Sequence, residues 1–122
     1  MALVLIVEDS PSTLEAFKMT LEGAGHRVIT AENGTLAIAR AKTEKPDVIM
    51  MDIVMPEMNG FQATRRISSD PETAQIPIIM VTTKDQETDR VWGKRQGAVG
   101  YLTKPVSDKD LLAEIKRVLE AG

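Results

Sequence analysis

The chain contains no cysteine, which excludes disulfides, thiolate metal sites and a cysteine nucleophile, and suits a reducing cytoplasm. Histidine occurs once, at His26. It follows Gly25, a helix-stopping residue, so a surface-loop position is expected and a catalytic triad has no well-placed base. An excess of positive charge is also missing: 15 Lys and Arg stand against 18 Asp and Glu, a net charge of −3, without the clustered cations a nucleic-acid footprint needs. No apolar run approaches membrane-spanning length. The apolar start, Ala2 to Val7, is too short for a signal-peptide core and lacks a basic leader or cleavage site. There is no P-loop and no complete Gly-x-Gly-x-x-Gly, since Gly23 and Gly25 lack a third glycine and do not follow the first strand-like run. A soluble, intracellular protein is expected, with no nucleic-acid partner and no membrane insertion.

What is present is an alternation. The 122 residues suit one domain, 43% of them hydrophobic and 27% charged, an ordinary globular balance. Strand-like runs fall at Leu3 to Val7, Arg27 to Ala31, Asp47 to Asp52, Pro77 to Thr83 and Val99 to Lys104. Between them lie helix-like segments. Ser10 is a candidate N-cap with Pro11 at the first helical position, and Leu14, Phe17 and Leu21 share a face before Gly25. A second helix opens at Gly34 and runs to about Glu44, a third follows Asn59-Gly60 through Ile67, and a fourth covers Asp85 to Gln96. A last helix begins at a capping-box-like Ser107/Asp110 pair and carries an apolar stripe of Leu111, Leu112, Ile115, Val118 and Leu119. Strands that are apolar throughout imply a parallel sheet covered on both faces. The expectation is an α/β, doubly wound (βα)5 domain over residues 1–122, and the Met1 start and helical end suit a complete unit.

In such a sheet all strand carboxyl ends share one rim, where ligands bind. The residues ending the strands are therefore the ones to ask about. They are Glu8-Asp9, Asp52, Thr82-Thr83 and Lys104-Pro105. Polar residues often mark only where a strand surfaces, but three carboxylates, a hydroxyl and an amine on one rim are a constellation. Clustered carboxylates repel unless a cation compensates, and Mg²⁺ takes one or two carboxylates, waters and phosphate oxygens. Lys104 and the Thr82 hydroxyl suit phosphoryl oxygens. The chemistry indicated is phosphoryl transfer, with Asp52 the candidate nucleophile forming an acyl phosphate.

The pattern Glu8-Asp9, Asp52 with Met55-Pro56 and Gly60, Thr82, then Lys104-Pro105 resembles the receiver domain of bacterial response regulators, the CheY type, across essentially the whole chain. Within that family "VTTKDQETDRVWGKRQGA" and "YLTKPV" are similar to the small PilH-like receivers of twitching-motility and phototaxis systems. The resemblance implies a flavodoxin/CheY-like strand order 2-1-3-4-5. It implies Asp52 as phosphoacceptor from a CheA-like histidine kinase, and Mg²⁺ held by Asp9, Asp52 and the Val54 carbonyl, with Glu8 on a metal-bound water. Thr82 and Lys104 would sense the phosphoryl group, and Thr83, Tyr101 and Pro105 would belong to the switch or partner surface around the fourth helix and fifth strand. Lys104-Pro105 is expected to be cis. Glu8 departs from the commoner Asp-Asp pair, and Val54 and Lys84 occupy positions where the family tunes dephosphorylation. The function implied is that of a signalling switch acting on a downstream motility or signalling protein, not of an enzyme beyond self-catalysed phosphorylation and dephosphorylation. The alternatives are a phosphate sink for a kinase, or a phosphorylation-independent binding module.

Other conspicuous residues have plainer readings. Trp92 is expected as a partly buried anchor, the alternative being a partner contact, and the charged run Asp85 to Arg95 as either a solvated helix face or a binding surface. Met50, Met51, Met55 and Met58 are assigned to core and loop packing. A flavodoxin-like electron carrier would share the fold, but Glu8-Asp9 would repel a phosphate in its first loop. An aspartyl-phosphate phosphatase would want a second acid where Val54 stands.

Overall fold

The computed structural model describes residues 2–121; Met1 and the final glycine, both within the expected 1–122 domain, lie outside the described residues. Elements follow the alternating order: β1 (Leu3–Val7), α1 (Pro11–Gly23), β2 (Arg27–Ala31), α2 (Gly34–Glu44), β3 (Val48–Met51), α3 (Gly60–Ser69), β4 (Ile78–Thr82), α4 (Glu87–Gln96), β5 (Gly100–Thr103) and α5 (Asp108–Ala121). All pairings are parallel, in the order β2-β1-β3-β4-β5.

Side-chain period two splits the strands between two cores. Leu5 and Val7, Ile49 and Met51, and Ile78 and Met80 point to one face, where they meet Ala37 and Ala41 of α2 and Ala63 and Ile67 of α3. Val4 and Ile6, Val48 and Met50, and Ile79 and Val81 point to the other, against Phe17 and Leu21 of α1 and Leu111, Ile115 and Val118 of α5. Both faces of β1, β3 and β4 are thus dry, which is why their sequences are apolar without alternation.

Capping explains most boundary differences from the sequence expectation. Ser10 holds the N-cap position of α1 but makes no side-chain cap; its hydroxyl lies against that of Ser12. Helix α1 ends at Gly23, with Gly25 beyond it in the left-handed region (φ 94°). Asn33, unnoticed in the sequence, caps α2 by accepting the Leu36 N–H. At α3 Asn59 and Gln62 form a reciprocal capping box. Helix α4 begins at Glu87, not at Asp85, because Asp89 Oδ2 accepts the Gln86 N–H and fixes the first turn there. Only half of the expected box opens α5, the Ser107 hydroxyl accepting the Asp110 N–H.

His26 lies in the loop between α1 and β2, as expected, but is half-buried, and its Nδ1 accepts the Ala2 N–H, which tethers the entry to β1. Trp92 is 46% exposed, its ring about half covered. Among the described residues no helix is long and apolar enough to cross a membrane.

One close approach ties the fold to the strand that ends in Asp52. A Cβ on Gly60, the first residue of α3, would overlap the Asp52 carbonyl oxygen and the Ile53 Cα. Gly60 also donates its N–H to the Ile53 carbonyl (2.9 Å), so the helix start is held there. These are backbone atoms and cannot swing away. Gly60→Ala is therefore expected to lose about 1–3 kcal/mol, the usual range for overpacking. A urea midpoint equal to that of the parent would show that α3 can back away freely.

Candidate functional site

Parallel register brings the strand ends level. Val7 pairs with Met51, and the next hydrogen bonds continue the ladder: Asp52 N–H to the Val7 carbonyl (3.1 Å) and Glu8 N–H to the Ala31 carbonyl (3.0 Å). Thr82 pairs with Thr103, and the Lys104 N–H donates to the Thr82 carbonyl (2.7 Å). Glu8, Asp52 and Lys104 thus each stand one position beyond a strand and Thr82 at the end of one, with their backbones still fixed by the neighbouring strand. Lys104-Pro105 is a cis peptide, as expected.

The side chains of Glu8, Asp52 and Lys104 converge. Glu8 and Asp52 are 2% and 7% exposed, although both are acids. The Lys104 ammonium lies 2.5 Å from Glu8 Oε1 and 3.3 Å from Asp52 Oδ2. Asp52 Oδ1 accepts the Ile53 N–H (2.7 Å) and, more weakly, the Val54 N–H (3.4 Å). Glu8 Oε2 accepts the Ser10 N–H (3.1 Å). Burial is the largest influence on the Glu8 carboxyl and pushes its pKa above the ordinary 4.5, and the Asp52 charge adds to this; hydrogen bonds from Lys104 and Ser10 pull the other way without cancelling it.

Exposed Asp9 completes the acidic group: one carboxylate oxygen each from Glu8, Asp9 and Asp52 lies within 4.8 Å of the others. Oxygens around an octahedral Mg²⁺ sit about 2.1 Å from the ion, hence at most about 4.2 Å apart. The donor set is all oxygen, and slight closing would complete the spacing, so the residues fit a hard divalent cation. Val54 projects its side chain to solvent, 56% exposed, in the loop leaving Asp52.

Thr82 is fully buried, and its hydroxyl accepts the Lys84 N–H at 3.4 Å. It stands on the same rim, and among the described residues no hydrogen bond joins it to Asp52. Thr83 is exposed and joins Lys104, Pro105, Val106 and Phe17 around a shallow groove of about 420 Å³ between α1 and the chain after β5. Tyr101 is set apart from the acids. Its hydroxyl donates to the Lys84 carbonyl (2.7 Å), and the Arg90 guanidinium sits 4.9 Å from the ring centroid. Partial burial, with the Asp89 charge second, pushes the Tyr101 pKa up to about 12, so this donor stays protonated through the physiological range.

Several participants escaped the sequence. The N–H groups of Ser10, Ile53 and Val54 and the Lys84 carbonyl are backbone atoms, and no residue type marks them. Arg90 lay within a run of mixed charge, and only its position on α4 one turn from Gly93, where the helix approaches Tyr101, distinguishes it.

Residues 4–116 match the family described as the response regulator receiver domain. Over 119 residues, 98% of each chain, the sequence is 60% identical to protein PilH of Pseudomonas aeruginosa. The solved chemotaxis protein CheY4 of Vibrio cholerae has a TM-score of 0.92 at 38% identity, covering 97% of this chain and 98% of that one. A sensor histidine kinase receiver domain from P. aeruginosa, solved with a magnesium ion coordinated in its active site cleft, has a TM-score of 0.90 at 29% identity and covers 98% of both chains. With the 2-1-3-4-5 sheet and its acid-and-lysine rim, this match over nearly the whole length makes the chain a member of the response regulator receiver domain family.

Proposed function

We propose that this chain is a phosphorylation-dependent switch of two-component signalling, in which Asp52 accepts a phosphoryl group from the phosphohistidine of a CheA-like histidine kinase. One observation carries the reading: a buried aspartate at the end of β3 faces the Lys104 ammonium at 3.3 Å while sharing an acidic group with Glu8 and Asp9. An isolated acid so placed would be costly; an acid, a cation and an incomplete metal set together are suited to a charged reactant.

In the transfer a carboxylate oxygen of Asp52 bonds to phosphorus as the bond from phosphorus to the imidazole nitrogen breaks. The electron pair stays on that nitrogen, and because the other ring nitrogen carries a proton the imidazole leaves neutral. The incoming group brings negative charge into a site that already has three carboxylates, so it needs compensation. Bound Mg²⁺ supplies that compensation as a Lewis acid. Asp9, Asp52 and the Val54 carbonyl would hold it, with Glu8 beside a bound water. Lys104 needs only a small movement to follow the charge from the Asp52 carboxylate to the phosphoryl oxygens. Thr82, now bonded to the Lys84 N–H, can turn its hydroxyl toward them, and the chain after β4 moves with it.

That chain carries the Lys84 carbonyl to which Tyr101 is bonded, so its displacement changes what Tyr101 and α4 present. A partner that binds one arrangement better than the other reads the state. Thr83 and Pro105, exposed beside Lys104, belong to the same changing surface. The resemblance to PilH-like receivers supports a motility or other signalling partner in the cytoplasm, and the site itself would catalyse its phosphorylation and dephosphorylation. A phosphorylation-independent binding module has no observation of its own, since the acids, hydroxyl and lysine are all present on the rim.

Intact-mass spectrometry after incubation with acetyl phosphate is expected to show one phosphoryl adduct with Mg²⁺, and none with chelator or in Asp52→Asn. An adduct persisting in Asp52→Asn would move the acceptor elsewhere. Mg²⁺ is also expected to raise the thermal midpoint, with about 2.7 kcal/mol of stabilisation at a hundredfold excess over its dissociation constant. Asp9→Asn should remove most of that shift. An unchanged shift would take Asp9 out of the metal set.

A further inference from the structure

Glu8 and Asp9 are neighbours in sequence with different surroundings. Exposed Asp9 makes none of the side-chain hydrogen bonds seen among the described residues, whereas both oxygens of Glu8 are engaged, Oε1 by Lys104 and Oε2 by the Ser10 N–H. Lys104 is closer to Glu8 than to Asp52. The reach matters: β3 and β4 lie between β1 and β5, so the pair spans the rim from Glu8 to the end of β5. The Glu8 carboxylate makes this contact while also closing a short turn onto Ser10. An aspartate at this position would be one methylene shorter and could not keep both contacts without moving the backbone.

We propose that Glu8 serves the site as a positioning residue acting through Lys104: it holds the ammonium beside Asp52, and through that pair Lys104 competes with a divalent cation for the acidic group. This rests on the site reading above and deepens it by making Glu8 a partner of Lys104 first, reaching a cation only as Lys104 lets go. The competition follows from charge. An ammonium and a divalent cation cannot share one buried carboxylate without repelling each other, so each weakens the other's hold. Glu8 thereby links two events, cation binding and the release of Lys104 toward an incoming phosphoryl group. The longer acid at this position sets how tightly the cation is held before phosphorylation.

A double-mutant cycle read as Mg²⁺ affinity tests this. Titration calorimetry with MgCl₂ is run on the unphosphorylated 122-residue chain as wild type, Lys104→Met, Glu8→Asp and the double variant, each checked for folding by circular dichroism. Glu8→Asp keeps the charge and removes the reach, which separates the contact from simple electrostatics. Lys104→Met is expected to tighten Mg²⁺ binding about tenfold or more when Glu8 is present, because the competing charge is removed. In the Glu8→Asp background the tightening should shrink to about twofold, the scatter of independent sites. Equal tightening in both backgrounds would overturn the proposal and leave the metal-site reading standing. Absence of Mg²⁺ binding in the wild type would overturn both. If Lys104→Met fails to fold, Lys104→Gln completes the same cycle with the charge still removed.

Discussion

Two buried carboxylates at the ends of adjacent parallel strands repel each other, and the Lys104 ammonium between them is the contact that makes the arrangement tolerable. Its position is set by the sheet. The Lys104 backbone is bonded to the Thr82 carbonyl at the end of β4, so the side chain leaves β5 from a fixed point and crosses to Glu8 and Asp52. In a dry interior such an assembly is maintained only if all its charges have partners, and Glu8, Asp52 and Lys104 do. The backbone N–H groups of Ser10, Ile53 and Val54 take up the remaining carboxylate capacity. Asp9 stays at the solvent edge of the cluster, the side from which a hydrated cation would arrive.

The scaffold provides this rim with unequal rigidity. Strands β1, β3 and β4 are covered on both faces by interlocking apolar layers, so Glu8, Asp52 and Thr82 have anchored backbones. The close seat of Gly60 on the Asp52 and Ile53 backbone pins the start of α3 as well. By contrast α4 buries little beyond Gly93 and Gln96 and leaves Val91 and Trp92 about half exposed. Elements with few buried apolar contacts are where opening costs least. A site on rigid strands beside a loosely held helix is suited to converting a local charge change into a surface change. A chain of contacts joins the rim to α4: Thr82 to the Lys84 N–H, the Lys84 carbonyl to the Tyr101 hydroxyl, and the Tyr101 ring to Arg90. Arg90 also donates to the Thr103 hydroxyl, so α4 touches β5 at both residues.

The amino-acid sequence by itself determined the alternation of strands and helices, because short apolar runs without alternation, separated by helix-periodic segments, fit strands buried on both faces. It also determined which residues end those strands, and so the membership of the rim: Glu8, Asp9, Asp52, Thr82 and Lys104 are legible as polar residues where the apolar runs end. Helix limits were less legible at α4, where the hydrogen bond from Gln86 to Asp89 moved the start by two residues. The contact of His26 was not legible because its partner is the backbone of Ala2, just ahead of β1 and distant in sequence. Tertiary structure alone decided which rim residues touch. Lys104 is 52 positions from Asp52 and 96 from Glu8, and no local pattern states that its ammonium sits nearer Glu8. The cause is geometric: contacts across a parallel sheet depend on register and side-chain reach, quantities shared between distant segments and carried by neither alone.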